Sequence, residues 1–300
     1  MSLLFSPLAL GGIEIANRVT VSPMCQYSAR DGTSNDWHLQ HLMSLSLSGA
    51  GLLTLEATHV TAPGRITHGC AGLWSDENEA ALARIVQSCR SVAPIKLGIQ
   101  LAHAGRKGSS QRPWEGRGPL RADEAPWETI APSALALGPG WHTPRALDEA
   151  GMASVCDAFV ASARRALRIG FDLIEIHSAH GYLLNEFLSP LANRRDDRHG
   201  GSIENRMRFP LRVFEAVRSV WPRDRALGVR IPGSDYVPGA WAPDDAIVYA
   251  RELKARGCDF VTVSGGVSCS MPRCRPGPAT KCRLPRRSSA PPAWSRAPSG

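Results

Sequence analysis

Residues 171–182 read Phe-Asp-Leu-Ile-Glu-Ile-His-Ser-Ala-His-Gly-Tyr, a short apolar run that ends in polar and small residues. Runs of this composition are typical of strands buried in a sheet. Five further runs have the same form, and longer stretches with helical periodicity separate them. Strands that alternate with helices indicate repeated βα units around a parallel sheet. The six predicted strands are 18–24, 52–57, 96–103, 171–177, 227–231 and 260–264.

The stretches between these strands carry the signals of amphipathic helices. Ser75 is a suitable N-cap for one helix, and Pro243 is a suitable first-turn residue for another. An apolar stripe at helical spacing precedes the fourth strand and consists of Val155, Phe159, Val160, Ala163 and Leu167. Such a stripe is expected to face the sheet.

Six βα units in this order predict an α/β protein with a TIM (β/α)8 barrel fold, here incomplete because only six units are recognised. Barrel enzymes build their active sites from the loops that follow the strands. All six predicted strands end in polar or small residues. We therefore expect the side chains at these strand ends to meet at one barrel mouth.

The bulk composition fits this fold and excludes some other classes of protein. A chain of 300 residues suits one large barrel domain, and 43% hydrophobic with 21% charged residues is the composition of a soluble globular protein. No apolar run approaches the roughly 20 residues that a membrane-spanning helix needs. The N-terminal residues lack a basic region and a secretory core, so we expect a cytoplasmic protein without a membrane partner.

The formal net charge of +8 is concentrated at the C-terminus. Residues 267–300 contain six Arg, one Lys and no acidic residue, and these cations account for all but +1 of the net charge. The same segment has seven prolines and no strand or helix pattern. We predict a barrel domain at 1–266, lacking its last two βα units, and a basic, disordered tail at 267–300. The tail has no interleaved aromatic residues, so we expect no nucleic-acid partner.

The composition changes abruptly near Gly266, inside a βα repeat. We interpret this change as a frameshift or a mispredicted reading frame that truncates the barrel. Reading the coding DNA in the other two frames tests the interpretation, and two further βα units are the expected result.

The eight cysteines do not form a metal-binding or redox pattern. They are scattered, without the close pairs of a zinc ribbon or a redox CxxC motif. In a reducing cytosol a disulfide framework is not expected for a chain this large. We predict reduced core thiols and no metal.

Residues 104–145, which we call the lid segment, interrupt the βα rhythm between the third strand and its helix. The segment is rich in Gly and Pro and contains Trp114, Trp127, Trp141 and His142. A connection of this length inside a compact domain is usually functional or disordered. The aromatic residues favour an ordered cover over the barrel mouth.

The strongest chemical signal is the group of His177, His180 and Tyr182 after the fourth strand. Neutral imidazoles can donate hydrogen bonds to an oxygen that becomes negative, and a nearby phenol can deliver a proton. Two other interpretations stay open at this point. An HxxH pair is often a packing feature. A metal site would need a third ligand such as a carboxylate or Cys25, and the helical HExxH form is absent.

The wider context of this group resembles the Old Yellow Enzyme family of FMN-dependent ene-reductases. The resemblance covers residues 1 to about 266. The motifs that carry it are Asn17-Arg18, Pro23-Met-Cys25-Gln-Tyr27, Gln100-Leu-Ala-His-Ala-Gly-Arg-Lys107, His177-Ser-Ala-His-Gly-Tyr-Leu-Leu-Asn-Glu-Phe-Leu-Ser-Pro190, Asn193-Arg194 and Gly200-Gly-Ser-Ile-Glu-Asn-Arg-Met-Arg-Phe209. Cys25 together with Tyr27 is similar to the thermophilic-like bacterial subclass.

The resemblance implies FMN at the barrel mouth and NADPH or NADH as the hydride donor. Arg230 resembles the cation near the flavin N1 and C2 carbonyl, where positive charge stabilises the reduced ring. Gln100 is similar to the residue that binds the pyrimidine edge. The full set of cofactor-binding positions implied in this way is Ser22, Pro23, Met24, Cys25, Ala57, Gln100, Lys107 and Arg230. For Lys107, a solvated surface position is an equal alternative.

The resemblance also implies roles for five catalytic positions. His177 and His180 are similar to the pair that holds the carbonyl oxygen of an α,β-unsaturated substrate, and Tyr182 to the proton donor to its α carbon. Cys25 resembles the thiol that tunes the flavin potential, and Tyr27 a residue on the substrate side. The implied activity is an NAD(P)H-dependent ene-reductase that works by ping-pong hydride transfer on a small enone.

The resemblance raises expectations of impaired function as well. In flavin barrels the phosphate usually lies near the loops after strands seven and eight, so we expect weak FMN retention. The family is often homo-oligomeric, and an arginine near its C-terminus that reaches a neighbouring subunit has no counterpart here. Two alternatives are a flavin-independent hydrolase or lyase that uses Cys25 or His177, and a non-catalytic remnant whose tail binds nucleic acid.

Two further motifs are interpreted as structural. The second HxxH, His38 with His41, falls in a predicted helix and is assigned to packing or capping. The Gly200-Gly201-Ser202 run is assigned to a turn and a helix N-terminus.

Overall fold

The structure is a computed structural model that describes residues 2–265. It contains ten strands, namely β1 (Leu8–Leu10), β2 (Ile13–Ile15), β3 (Thr20–Val21), β4 (Leu52–His59), β5 (Lys96–Ala102), β6 (Ile130–Ala131), β7 (Arg145–Ala146), β8 (Leu173–His177), β9 (Ala226–Pro232) and β10 (Phe260–Ser264). The helices are α1 (Asp36–Ser46), α2 (Asp76–Val92), α3 (Glu149–Ile169), α4 (Leu183–Leu188), α5 (Ile203–Val220) and α6 (Pro243–Ala255). The predictions made for residues 267–300 lie outside the described residues.

Six strands form one parallel sheet in the order β10-β9-β8-β5-β4-β3, curled into half of a barrel. These are the six strands predicted from the sequence. Within residues 2–265, β3 and β10 are the two edges of the sheet. The first strand is shorter than the predicted 18–24, because the ladder to β4 ends at Val21, just before Pro23, which has no N–H to donate.

The helices begin where the sequence signals place them. The Ser75 hydroxyl accepts a hydrogen bond from the Asn78 N–H at the start of α2, and Pro243 is the first residue of α6. Ser202 caps α5 through the Asn205 N–H. His38 takes part in a capping box with Asn35 at the start of α1, which confirms the structural interpretation of this histidine.

The core lies between the sheet and the surrounding helices. The predicted stripe on α3 faces it, since Val155, Phe159 and Ala163 are buried. The five cysteines in the described part of the chain are free thiols, as predicted. Among residues 2–265 there is neither a helix suited to spanning a membrane nor a group of His, Cys, Asp and Glu suited to a metal ion.

The lid segment contacts the residues that follow β8, through Arg106 with Glu186 and Lys107 with His180. It begins with a 3-10 turn at Gly105–Lys107 and later forms a second such turn at Ala122–Glu124. Its last part contributes the short parallel pair of β6 and β7. The N-terminal hairpin of β1 and β2, which the sequence patterns did not predict, is the other addition to the βα repeat.

Candidate active site

The strand register brings the predicted site residues to one end of the sheet. His177, the last residue of β8, lies beside Arg230 of β9, which in turn pairs with Thr262 of β10. On the other side, Ala57 of β4 pairs with Gln100 of β5. Parallel strands end on the same side of a sheet, so these residues face one mouth.

His177 and His180 are in direct contact. The His177 Nε2 and His180 Nδ1 atoms are 3.1 Å apart, and the His180 Nε2 atom is 2.7 Å from the Ser264 hydroxyl. The Arg230 Nη2 atom donates to the same hydroxyl at 3.4 Å. His180 adopts a left-handed backbone conformation, with φ at 60°, which turns its ring back toward His177.

The hydrogen bonds fix the tautomers of the pair when both rings are neutral. The Ala179 N–H donates to the His177 Nδ1 atom at 3.2 Å, so the His177 proton is on Nε2. This proton is donated to His180 Nδ1, which places the His180 proton on Nε2, facing Ser264. The arrangement is therefore a row of two N–H donors that point in one direction.

Both imidazoles are held in the neutral form. Burial, with the nearby His180 and Arg230, holds the pKa of His177 well below its usual 6.5. Burial, with Arg230 and Lys107, lowers the pKa of His180 to about 4. At neutral pH the pair consequently offers hydrogen bonds without a positive charge.

Tyr182 lies beside this pair, as predicted. The ring centroids of His177 and Tyr182 are 4.7 Å apart. Burial raises the pKa of the Tyr182 phenol well above 10, mainly by removing water from it. The phenol stays protonated at physiological pH, as a proton donor must.

Lys107 is turned toward the same group and is not a solvated surface residue. Its Nζ atom donates to the His180 carbonyl oxygen at 2.5 Å and lies 5.9 Å from the centre of the Tyr182 ring. The side chain is half-buried. Of the two alternatives for Lys107, the structure favours the site position.

The turn that carries Lys107 is held by Glu186, which sequence reasoning missed. Glu186, in α4, is fully buried, and its Oε1 atom accepts from the Arg106 N–H at 2.9 Å. Gly105 has φ at +61°, and a Cβ on it would lie 2.4 Å from that oxygen. Burial raises the pKa of Glu186 to about 8. Glu186 thus ties the Lys107 turn to the helix that follows Tyr182.

Cys25 and Tyr27 approach from the loop after β3. Together with Tyr182 they pack against a small apolar cluster of Ile66, Cys70 and Ala104. Burial, followed by the charge of Glu56, raises the pKa of the Cys25 thiol well above 9. The thiol is therefore protonated, which opposes its use as a nucleophile.

A bulge in β4 holds this loop in place. The register shifts between Leu55 and Ala57, which leaves Glu56 out of the ladder. The Glu56 Oε2 atom accepts from the Gln26 N–H at 3.0 Å. Bulges commonly aim a side chain beside an active site, and this one fixes the segment between Cys25 and Tyr27.

The lid segment and the loops after the strands line a cavity of about 400 Å³, which we call the first cavity. Tyr27, Lys107 and Tyr182 are the predicted site residues that line it, together with Arg117 and Trp141 of the lid segment. The size is that of a small-molecule site, typically about 300–1,000 Å³.

Polar groups suited to the edge of a flat ring lie under the mouth. The Gln100 Nε2 atom donates to Glu175 at 2.6 Å, and Thr262 donates to the other Glu175 oxygen at 2.5 Å. The Arg230 Nε and Nη1 atoms are buried without a hydrogen-bond partner among residues 2–265. Such buried donors fit an acceptor-rich ring edge. Arg230, Glu175, Ser22 and Pro23 line one cavity of about 160 Å³.

Not every predicted residue reaches this group by its side chain. The Met24 side chain is 48% exposed and lines a separate pocket with Gln26 and His38.

Glu175 was not predicted from the sequence as a site residue, although a charged residue inside the apolar run 171–177 is a recognisable signal. Nothing in the local sequence marks Glu186.

Two further histidines lie at the end of β4 and directly after β5. His59 and His103 are both buried. Burial, with His103 and Arg65, lowers the pKa of His59 to about 3, and burial lowers that of His103 to about 4. Neutral histidines are therefore part of the folded state.

This burial predicts an acid-sensitive fold. Between about pH 3 and 6.5 the unfolded chain binds a proton at His59 that the folded chain does not, so stability falls as pH falls. His59→Gln removes this difference and is expected to flatten the dependence by about 1.4 kcal/mol per pH unit. Urea unfolding of both proteins across that range measures it. If the plots of unfolding free energy against pH are parallel for the two proteins, His59 binds its proton equally in the folded and unfolded states, and its pKa is not lowered by folding.

The chain is similar to known flavin oxidoreductases over nearly all of its described length. Residues 3–275 match the NADH:flavin oxidoreductase / NADH oxidase family. The chain is 43% identical over 267 residues to an NADPH dehydrogenase from a Geobacillus species, covering 88% of this chain and 73% of that protein. It is 40% identical over 276 residues to an NADH:flavin oxidoreductase from Gibberella zeae, covering 87% of this chain and 67% of that protein.

Solved structures with the same fold support these sequence matches. Morphinone reductase in complex with tetrahydroNAD superposes with a TM-score of 0.75 at 31% identity, covering 88% of this chain and 74% of that one. The Old Yellow Enzyme homologue from Zymomonas mobilis gives 0.76 at 27% identity, covering 87% and 73%. The half-barrel seen in residues 2–265 therefore corresponds to part of a TIM barrel.

Proposed function

Because the chain belongs to the NADH:flavin oxidoreductase / NADH oxidase family, we propose that it reduces the activated C=C bond of small α,β-unsaturated carbonyl compounds with NADPH or NADH. The observation that carries the proposal is the neutral His177–His180 pair beside the Tyr182 phenol. Two N–H donors in contact with one protonated phenol match the needs of an enone, which has a carbonyl oxygen to hold and an α carbon to protonate.

The described residues fit FMN as the cofactor. The buried Arg230 nitrogens and the Gln100 amide lie under the mouth, where they would hold the pyrimidine edge of the ring. Ser22, Pro23, Met24 and Ala57 would supply backbone contacts and packing. The chemistry that FMN supplies when bound is two-electron hydride transfer, taken from NADPH or NADH and given to the β carbon of the substrate.

The histidine pair binds and polarises the carbonyl group. In the structure His177 Nε2 donates to His180 Nδ1 at 3.1 Å, a separation that leaves no space for an oxygen between them. A substrate oxygen that accepts a hydrogen bond from the His177 Nε2–H therefore displaces the His180 ring, whose own N–H leaves Ser264 and donates to the same oxygen. Both donors then stabilise the negative charge that develops on this oxygen.

Tyr182 completes the reduction by giving its phenolic proton to the α carbon. Lys107, 5.9 Å from the ring centre, lies where its positive charge favours the phenolate left behind. Tyr27 lines the first cavity with Tyr182, and Cys25 packs with both tyrosines against the cluster of Ile66, Cys70 and Ala104. Reprotonation of Tyr182 from solvent through the first cavity restores the resting state.

A hydrolase or lyase that uses Cys25 is less well supported. Its thiol has a raised pKa, which is the reverse of what an activated nucleophile needs. A nucleic-acid-binding role rests on the tail, which lies outside the described residues.

Anaerobic titration of the full chain with added FMN tests the proposal. NADPH or NADH is expected to bleach the oxidised flavin band, and cyclohexenone is expected to restore it with formation of cyclohexanone. Reduction without reoxidation by any enone would exclude ene-reductase activity while keeping the oxidoreductase assignment. Turnover that does not depend on FMN would favour the hydrolase or lyase.

Arg230→Met is expected to weaken FMN binding by about 10–100-fold, because a hydrogen bond to a charged group contributes about 1.5–3 kcal/mol. Quenching of FMN fluorescence measures the dissociation constant, with Arg223→Met, remote from the site in the turn before β9, as the control. Equal affinity in both variants would remove Arg230 from the cofactor site.

A further inference from the structure

The lid segment covers a second cavity as well as the first. This second cavity has a volume of about 370 Å³ and lies between the later part of the lid segment and the first turns of α3. Its lining shares no residue with that of the first cavity. Its apolar wall consists of Pro63, Trp127, Ile130, Leu147 and Val155. No step of the proposed mechanism uses it.

A buried histidine supplies one hydrogen-bond donor to this cavity. His103 lines it and is 2% exposed. The His103 Nδ1 atom accepts from the Gly105 N–H at 3.1 Å, and burial lowers the pKa of the ring to about 4. The neutral ring therefore carries its proton on Nε2. Gly105 is the hydrogen-bond partner of this ring among residues 2–265, which leaves the Nε2–H for a ligand in the cavity that His103 lines.

The aromatic side of the cavity is rigid. The Trp127 indole N–H donates to the Pro63 carbonyl oxygen at 2.9 Å. Its ring meets His68 edge-on at 5.0 Å, and the Arg65 guanidinium lies 5.3 Å from its centre. A ring fixed from several sides offers a preformed stacking surface for another flat group.

The charges at the mouth of the cavity neutralise one another. Arg145 and Glu128 both line it, and the Arg145 Nε atom contacts the Glu128 carboxylate at 3.0 Å. Since His103 is neutral as well, nothing in the lining selects a charged ligand. The lining offers the neutral His103 N–H donor and the hydroxyls of Thr61 and Ser154 in an otherwise apolar, aromatic space, which suits a neutral ligand with an acceptor oxygen.

We propose that the second cavity binds a flat, neutral aryl carbonyl compound, with its ring against Trp127 and its oxygen accepting from the His103 Nε2–H. The volume is at the lower end of small-molecule sites, about 300–1,000 Å³, which limits the ligand to one or two fused rings. Binding needs neither FMN nor nicotinamide. Binding in the second cavity is therefore independent of the proposed reaction.

Each cavity contains one tryptophan, which permits a direct test. Trp127 lines the second cavity and Trp141 the first. The full chain, which has eight tryptophans, is labelled with 5-fluorotryptophan. The fluorine NMR resonances of Trp127 and Trp141 are assigned by Trp→Phe variants, and the chain is titrated with 2-acetonaphthone. The expected result is a saturable shift of the Trp127 resonance, whatever happens at Trp141.

Two variants on the exposed side of α3 locate the site. Ser154→Phe places an aromatic side chain in the second cavity and is expected to abolish the Trp127 shift. Asp157→Phe, one turn further along and also exposed, is expected to leave it unchanged. A Trp127 resonance that does not move in the unmodified chain, or one that responds equally in both variants, overturns the proposal.

The hydrogen bond is tested by His103→Leu. Loss of a hydrogen bond that contributes about 1 kcal/mol is expected to raise the dissociation constant of 2-acetonaphthone about fivefold. The change is expected in the titration of the Trp127 resonance and not in that of Trp141. Unchanged affinity would show that the ligand does not use this imidazole and would overturn its assigned role.

Discussion

Tyr182→Phe is expected to slow alkene reduction by about 10²–10⁴-fold, the range usually contributed by a positioned general acid. The phenol is the group beside His177 whose raised pKa keeps it protonated, and phenylalanine keeps the ring contact at 4.7 Å without the proton. Reduction of FMN by NADPH involves no proton from this residue and is expected to change little. Stopped-flow measurement of the two half-reactions, with added FMN, separates the effects.

The matched control is Tyr236→Phe, which changes a tyrosine that is 65% exposed and outside the first cavity. Both half-reactions of this variant are expected to keep their wild-type rates. An equal loss in the two half-reactions of Tyr182→Phe would assign Tyr182 to cofactor or nicotinamide binding instead of proton donation.

His180→Leu is expected to lower kcat/KM for cyclohexenone by about 10²–10³-fold, as the loss of one oxyanion donor does in other enzymes. The variant removes the ring that links His177 to Ser264 and leaves one N–H for the substrate oxygen. His180→Asn keeps an N–H donor at the position and is expected to recover most of the activity. His41→Leu, on α1 and outside the first cavity, is the control.

The same pair sets an acid limit on the reaction. The pKa of His180 is lowered to about 4, so the neutral pair persists as pH falls through 6.5 and is lost only near pH 4. The rate of enone reduction is expected to stay level down to about pH 5, wherever the fold survives. A decline centred near 6.5 would mean that the imidazoles are solvated, and their assignment as neutral donors would be wrong.

Much of the fold is predictable because its signals are local. The six strands are apolar runs of strand length, and the caps at Ser75, Ser202 and Pro243 act within one helical turn. The first strand was predicted too long, since apolar character continues past the point where Pro23 ends the ladder. The sequence gives no clear signal for the β1–β2 hairpin, because its strands have only three residues each.

The candidate site was predictable where it lies in one motif and not where it spans several. His177, His180 and Tyr182 stand within six residues, so the sequence places them together. Glu175 meets Gln100 and Thr262 across separations of 75 and 87 residues, and Glu186 meets Arg106 across 80. A local pattern carries no information about such contacts, which depend on which strands become neighbours.

The sequence by itself determined the βα order, the strand ends that carry chemistry and the family that those motifs resemble, because each depends on spacing along the chain. Tertiary structure alone decided the protonation of His177, His180 and Tyr182, since a pKa depends on burial and on charges such as Arg230 and Lys107 that arrive from other strands and loops. It also decided that Lys107 faces the site and that the lid segment covers two cavities. Those features exist only once distant segments pack together and exclude water.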